Sequence, residues 1–177
     1  MPALRANAPT PGGARLRVLG LDPGSHATGW GVVDAAGGGR LRLVDAGVVR
    51  APAKAPVDQR LLAIHQGLAE VIAEHQPAEM AVEGVFSAVN VKTAIVLGQA
   101  RGVALLAGAA AGLEVFEYSP AAVKKALVGT GRAEKRQVRA MVSALLATKR
   151  KLPLDASDAC ALAICHHHSR ALHAKGL

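Results

Sequence analysis

Cysteine and aromatic residues are the scarcest parts of this 177-residue chain. Two cysteines, Cys160 and Cys165, stand five apart in an apolar stretch. That spacing suits neither a disulfide framework nor a C-x-x-C metal or redox pair, so both read as buried thiols in a reducing, cytoplasmic setting. With one Trp, one Tyr and two Phe, the core must be aliphatic, and any exposed aromatic calls for an explanation. The most apolar run, 102–113, falls short of the ~18–20 residues that cross a bilayer, so no membrane association is expected. Residues 1–14 hold no continuous apolar segment of signal-peptide type and read as a loose tail, with 173–177 as a second one.

Acidic charge is also in deficit, with 13 Asp and Glu against 21 Lys and Arg for a formal charge of +8. Such a balance favours polyanionic partners, nucleic acid first and acidic membrane second. The excess is concentrated in 124–151, where Lys124, Lys125, Arg132, Lys135, Arg136, Arg139, Lys149, Arg150 and Lys151 face the single acid Glu134. The stretch reads either as a phosphate-facing surface or as a solvated helix face.

The hydrophobic pattern organises the chain as one domain over 15–172. Three strands in a meander are predicted at 16–21, 28–33 and 40–49, with glycines 37–39 in the second turn. A helix follows over 57–75 and stops at Pro77. After it come a short buried strand at 80–82 ending on Glu83, an Ala- and Gly-rich helix over 93–111, and a strand at 114–117. Ser119 before Pro120 is an N-cap followed by proline at the first helical position. Helices through 123–128, 133–148 and about 155–172 complete the chain. This order predicts an α/β fold with a mixed five-stranded sheet flanked by helices, of ribonuclease H-like type. A dinucleotide-binding fold would alternate strand and helix from the start and carry G-x-G-x-x-G after its first strand.

Four carboxylates stand out. Asp22 and Glu83 each end a strand, and they emerge together if those strands are neighbours. Asp155 and Asp158, three apart at the start of the last helix, share one face. Two like charges 4 Å apart repel by roughly 4 kcal/mol at an effective dielectric near 20. Divalent magnesium or manganese, one ion or a pair, would compensate and suit phosphodiester hydrolysis. Asp155 and Asp158 are equally well explained as helix-capping residues, and Asp22 as part of an Asp-Pro-Gly turn. His26, in the loop after Asp22, lies within reach of a phosphate. His166, His167 and His168 read as a solvated helix end, since three consecutive helical residues diverge too far to share one ion.

The blocks Leu19-Gly20-Leu21-Asp22-Pro23-Gly24-Ser25 and Thr28-Gly29-Trp30-Gly31-Val32 resemble the opening of the RuvC family of bacterial Holliday-junction resolvases. Val82-Glu83-Gly84-Val85-Phe86, Leu97-Gly98-Gln99-Ala100-Arg101-Gly102, Val115-Phe116-Glu117-Tyr118 through Ala133-Glu134-Lys135, and Asp155-Ala156-Ser157-Asp158-Ala159 follow in order at family-like spacing. The resemblance implies a ribonuclease H-like fold, a homodimer, and magnesium-dependent (or manganese-dependent) paired nicking of four-way junction DNA with two ions per site. It further implies a link to branch-migration motor proteins. Asp22, Glu83, Asp155 and Asp158 fall on the family's catalytic acids, and Lys124 and Lys135 on its two basic residues, with Arg136 beside them. Phe86 falls on the aromatic that stacks on junction bases, its alternative being a core phenylalanine. Gly84 departs from the pattern, standing where many members carry Gln. The small-residue helix over 93–111 is a candidate dimer interface, with packing inside one subunit as its alternative.

Two other classes fit parts of the sequence. An actin-like ATPase would share the Asp22-x-Gly24 turn but duplicate it in a second domain, and no second copy is present. A non-catalytic DNA-binding module rests on charge alone.

Overall fold

The computed structural model describes residues 16–36, 38–84 and 91–173. Five strands run in the order β3-β2-β1-β4-β5, with β1 at Arg17–Asp22, β2 at Ala27–Ala36, β3 at Arg40–Arg50, β4 at Glu79–Glu83 and β5 at Glu114–Tyr118. The first three pair antiparallel, as tight turns permit. β4 and β5 add in parallel after helical crossovers. This is the mixed ribonuclease H-like sheet expected from the pattern. β1, in the centre, pairs Leu21 with Val82, which brings the ends of β1 and β4 together.

Alternation along the strands sorts side chains to two faces. Leu19, Leu21, Met80 and Val82 join Ile64 and Leu68 of α1 (Val57–His75) and Ala100 and Ala104 of α2 (Val91–Ala110) in one core. Val18 and Ala81 join α3 (Pro120–Val128), α4 (Lys135–Leu145) and α5 (Leu154–His173) in the other. Asp22 and Glu83 are in phase with Val18 and Ala81, so both lie on the α5 face.

Glycines set how closely α5 approaches. A Cβ at Gly20 would lie 2.0 Å from the Ala159 carbonyl oxygen, at Gly29 2.1 Å from that of Asp155, and at Gly31 2.4 Å from Cys160 Sγ. The helix backbone therefore rests directly on β1 and β2.

The helix starts are chemically marked. Ser119 caps α3 by accepting from the Ala122 N–H. α4 begins later than the pattern suggests because Glu134 and Gln137 form a reciprocal capping box. Asp155 and Asp158 lie inside α5, whose first residue is Leu154, so they are not its cap.

α2 departs from the sequence reading in two ways. At 20 residues with a mean hydropathy of 1.4 it is long and apolar enough to cross a membrane, although the 102–113 run taken alone was too short. Its ties are nonetheless to the fold. Ala100, Ala104, Ala107 and Gly108 pack inward, and a Cβ on Gly108 would meet Met80. Arg101 pairs with Glu117 at 2.5 Å. These four small residues thus serve the interior of the subunit, while Val91, Ile95 and Leu106 stand exposed on the outer side.

Candidate active site

A cleft of about 120 Å³ opens at the carboxyl ends of β1 and β4, lined by Asp22, Glu83, Lys124, Lys135, Val138, Asp158 and Leu162 among others. Three of the four expected carboxylates reach its wall. Asp155, one turn before Asp158, adds its charge to the field at Asp22. Two acids come from adjacent parallel strands and two from the first turns of a helix lying across them, so sequence separations of up to 136 residues collapse to one point.

The cluster is electrostatically strained. Burial first, then the charges of Glu83, Asp158 and Asp155, push the Asp22 carboxyl up from 3.8 to about 7, with Lys135 opposing. Glu83 is also raised, mainly by burial, with Lys135 opposing and Asp158 adding to the shift. Among the described residues, two cations pair with Asp158, Lys135 Nζ at 3.8 Å and Arg139 Nη2 at 3.6 Å.

All donors around the cleft are hard oxygens, which suit magnesium or manganese rather than zinc. Among the described residues, no three His, Cys, Asp or Glu side chains already form a tight coordinating group. The acids are gathered with their charge uncompensated, which is the condition a divalent cation would relieve.

Comparison with known proteins decides the lineage. The model of the family described as crossover junction endodeoxyribonuclease RuvC matches residues 18–166. The chain belongs to that family. A RuvC from Azorhizobium caulinodans is 50% identical over 155 residues, covering 88% of this chain and 91% of its own. One from Solidesulfovibrio magneticus is 52% identical over 155 residues, with the same coverage. Among solved structures, T. thermophilus RuvC in complex with a Holliday junction substrate superposes with a TM-score of 0.84 at 34% identity, over 89% of this chain and 96% of that one.

Within the RuvC framework the remaining sequence expectations divide. Lys124 is half-buried in the cleft wall, and Lys135 is exposed at its mouth. Arg136 is exposed on α4 and does not line the cleft. Phe86 lies outside the described residues. Arg150, in the same basic stretch, is occupied by Asp45 and the Ala46 carbonyl on β3. His26 is exposed and hydrogen-bonds Arg60 at 2.8 Å.

The histidine run is a correction. His166 and His167 are buried, not solvated, and three divergent directions mean three separate sets of partners: Glu79 and Tyr118 for His166, the Val33 carbonyl for His167 and the Ala126 carbonyl for His168. The helix reaches about as far as the sequence predicted; what the polar side chains did not reveal is that the run still packs against the sheet and α3 rather than facing solvent. Both cysteines are buried as expected, their thiols raised by burial to about 12 and 11.

Two residues near the site carried no assigned role. Arg139 follows Lys135 by four on α4, a spacing that could have marked it. Arg101 donates from Nε to the Glu83 carbonyl oxygen at 3.1 Å. No sequence period links an α2 arginine to the end of β4.

Proposed function

We propose that this chain is a structure-selective endonuclease that resolves Holliday junctions by symmetric paired nicks, in DNA recombination and repair. The observation that carries the reading is the convergence of Asp22, Glu83 and Asp158 on one cleft, with Asp155 adding to a field that lifts Asp22 to about 7. Asp22, Glu83, Asp155 and Asp158 are the catalytic and metal-holding acids. Magnesium or manganese, as two ions per site, would supply Lewis-acid activation of the attacking water and charge neutralisation at the phosphate.

The chain's own groups do the rest. Lys135, exposed at the mouth, and Lys124, in the wall, attract the scissile phosphate and balance charge building on its oxygens. Arg139 steadies Asp158 through the same carboxylate oxygen that Lys135 approaches. Arg136 and the neighbouring cations of 124–151 hold flanking backbone in a salt-dependent, sequence-independent way. Phe86 is the stacking residue at the junction, a contact worth roughly 1–3 kcal/mol per base.

Paired cuts across a near two-fold substrate call for a two-fold protein, and a homodimer with one site per subunit satisfies this. The outer side of α2, with Val91 at 76%, Ile95 at 57% and Leu106 at 58% exposure, supports that assignment. The catalytic domain is 15–172, it acts in the cytoplasm, and branch-migration motors deliver its substrate.

Cleavage of a synthetic mobile four-way junction against linear duplex, each with magnesium, manganese or EDTA, tests the reading. Paired nicks in the junction alone, requiring the ion, are expected. Equal cutting of both substrates, or cutting in EDTA, would overturn it.

A further inference from the structure

The far end of α5 holds a buried polar network that the cleft chemistry does not use. His166 Nε2 lies 2.6 Å from Glu79 Oε2, its Nδ1 lies 2.7 Å from the Tyr118 hydroxyl, and the Phe116 ring packs against it tilted by 44°, with centroids 4.4 Å apart. Arg170 holds the other oxygen of Glu79. A carboxylate can only accept, so Nε2–H donates to Glu79 and neutral Nδ1 accepts from Tyr118. Burial keeps the imidazole neutral by lowering its pKa.

The partners sit on the elements that build the cleft. Glu79 begins β4 and Glu83 ends it, four residues or about 13 Å apart on the same face. His166 follows Asp158 by eight residues, about 12 Å along α5. Tyr118 pairs with Glu83 across the sheet and accepts the Gly84 N–H through its carbonyl. Its neighbour Ser119 caps α3, which carries Lys124. The helix and strand therefore lie antiparallel, joined at one end by the Glu79–His166 bond and bringing their acids together at the other. A slide of α5 by one residue, about 1.5 Å, would break the bond and carry Asp155 and Asp158 out of reach.

We propose that His166 is a positioning residue for the metal site: by bonding Glu79 and Tyr118 it sets the axial position of α5 against β4 and β5, and so the spacing of Asp155 and Asp158 from Glu83. This rests on the metal-nuclease reading above. Magnesium tolerates little departure from its preferred ligand distances, so a small slide should register first as lost affinity.

The test measures Mn²⁺ binding to the full chain without DNA by titration, beside single-turnover junction cleavage and junction binding in EDTA. His166→Leu is expected to weaken Mn²⁺ binding about 10–100-fold while junction binding in EDTA stays within about twofold. His166→Gln, which keeps a donor for Glu79, should recover much of the loss, and Tyr118→Phe should shift affinity in the same direction by less. A folded His166→Leu protein with wild-type Mn²⁺ affinity would overturn the proposal, as would a Gln variant no better than Leu. If the Leu variant does not fold, Tyr118→Phe decides, and wild-type affinity there overturns it. A wild-type chain that binds Mn²⁺ but cuts no junction counts against the nuclease reading alone, because the titration reads the positioning separately.

Discussion

At its amino-terminal end α5 brings Asp155 and Asp158 towards Asp22 and Glu83, where, among the described residues, Lys135 and Arg139 pair with Asp158 alone and Asp22 is pushed up to about 7. Three turns further on, Glu79 is equally enclosed, yet His166 and Arg170 occupy its oxygens and Tyr118 completes the set. The same helix crosses the same sheet at both ends, and both ends bury carboxylates. The difference is whether their partners are protein groups. Where they are, the network is structural and closed. Where they are not, neighbouring carboxylates raise the pKa of Asp22, and theirs is the charge the proposed cation would offset.

Removing charge from the open end gives the largest expected effect. Asp22→Asn or Glu83→Gln should slow junction cleavage by a factor on the order of 10³ or more in single-turnover assays. Junction binding in EDTA should persist or tighten, because negative charge near phosphate has fallen. Loss of binding together with cleavage would mean that these acids serve the fold rather than the chemistry.

Next is the contact that joins both ends to the sheet. Gly20→Ala places a methyl against the Ala159 backbone and should cost about 1–3 kcal/mol in urea unfolding, the range for overpacking. A neutral result would show that α5 can lift away freely.

Comparable in size is the response to cation. Magnesium at about 100 times its dissociation constant should add about 2.7 kcal/mol to wild-type stability. Asp22→Asn should raise the melting temperature in EDTA and gain less from magnesium. An Asp22→Asn protein less stable than wild type in EDTA would contradict the charge strain inferred at the cleft.

The last comparison separates the ends by pH, in EDTA. Asp22 is raised in the fold from 3.8 to about 7, so the folded chain binds its proton more tightly, and stability falls as pH rises through that window. His166 and His167 are lowered from 6.5 by burial, so their contribution is complete above about 6.5 and is lost as pH falls below it. The advantage of Asp22→Asn over wild type should therefore grow from pH 4 to about 7 and then level off. His167→Gln should flatten the acid limb instead. Identical pH profiles for all three proteins would remove the distinction between an open and a closed end.

Much of the fold was legible because its signals are local. A β-branched and aliphatic run marked β1, the Pro-Gly turn set off β2, polar–apolar alternation marked β3, Ser119 and Pro120 marked the start of α3, and the strand-ending acids Asp22 and Glu83 do lie in neighbouring strands. The helical acids were harder to place: spacing alone suited capping as well as catalysis, and it took the position of Leu154 as first helical residue to set capping aside. The histidine run misled for a related reason. Side-chain type does not reveal burial, and three polar residues near a helix end resemble a solvated surface until the strand and helix packed against them are known.

Local pattern, then, determined the order of elements, the aliphatic core, the excess of positive charge and the set of acids able to hold a hard cation. Tertiary structure decided which of those acids meet, that α2 buries Ala100, Ala104, Ala107 and Gly108 and leaves Val91, Ile95 and Leu106 exposed, and that His166 answers Glu79 across 87 residues of chain. The reason is physical. Periodicity and capping act over a turn or a strand, whereas the separation of two buried charges depends on how closely one backbone rests on another, and here that is set by the missing side chains of Gly20, Gly29 and Gly31.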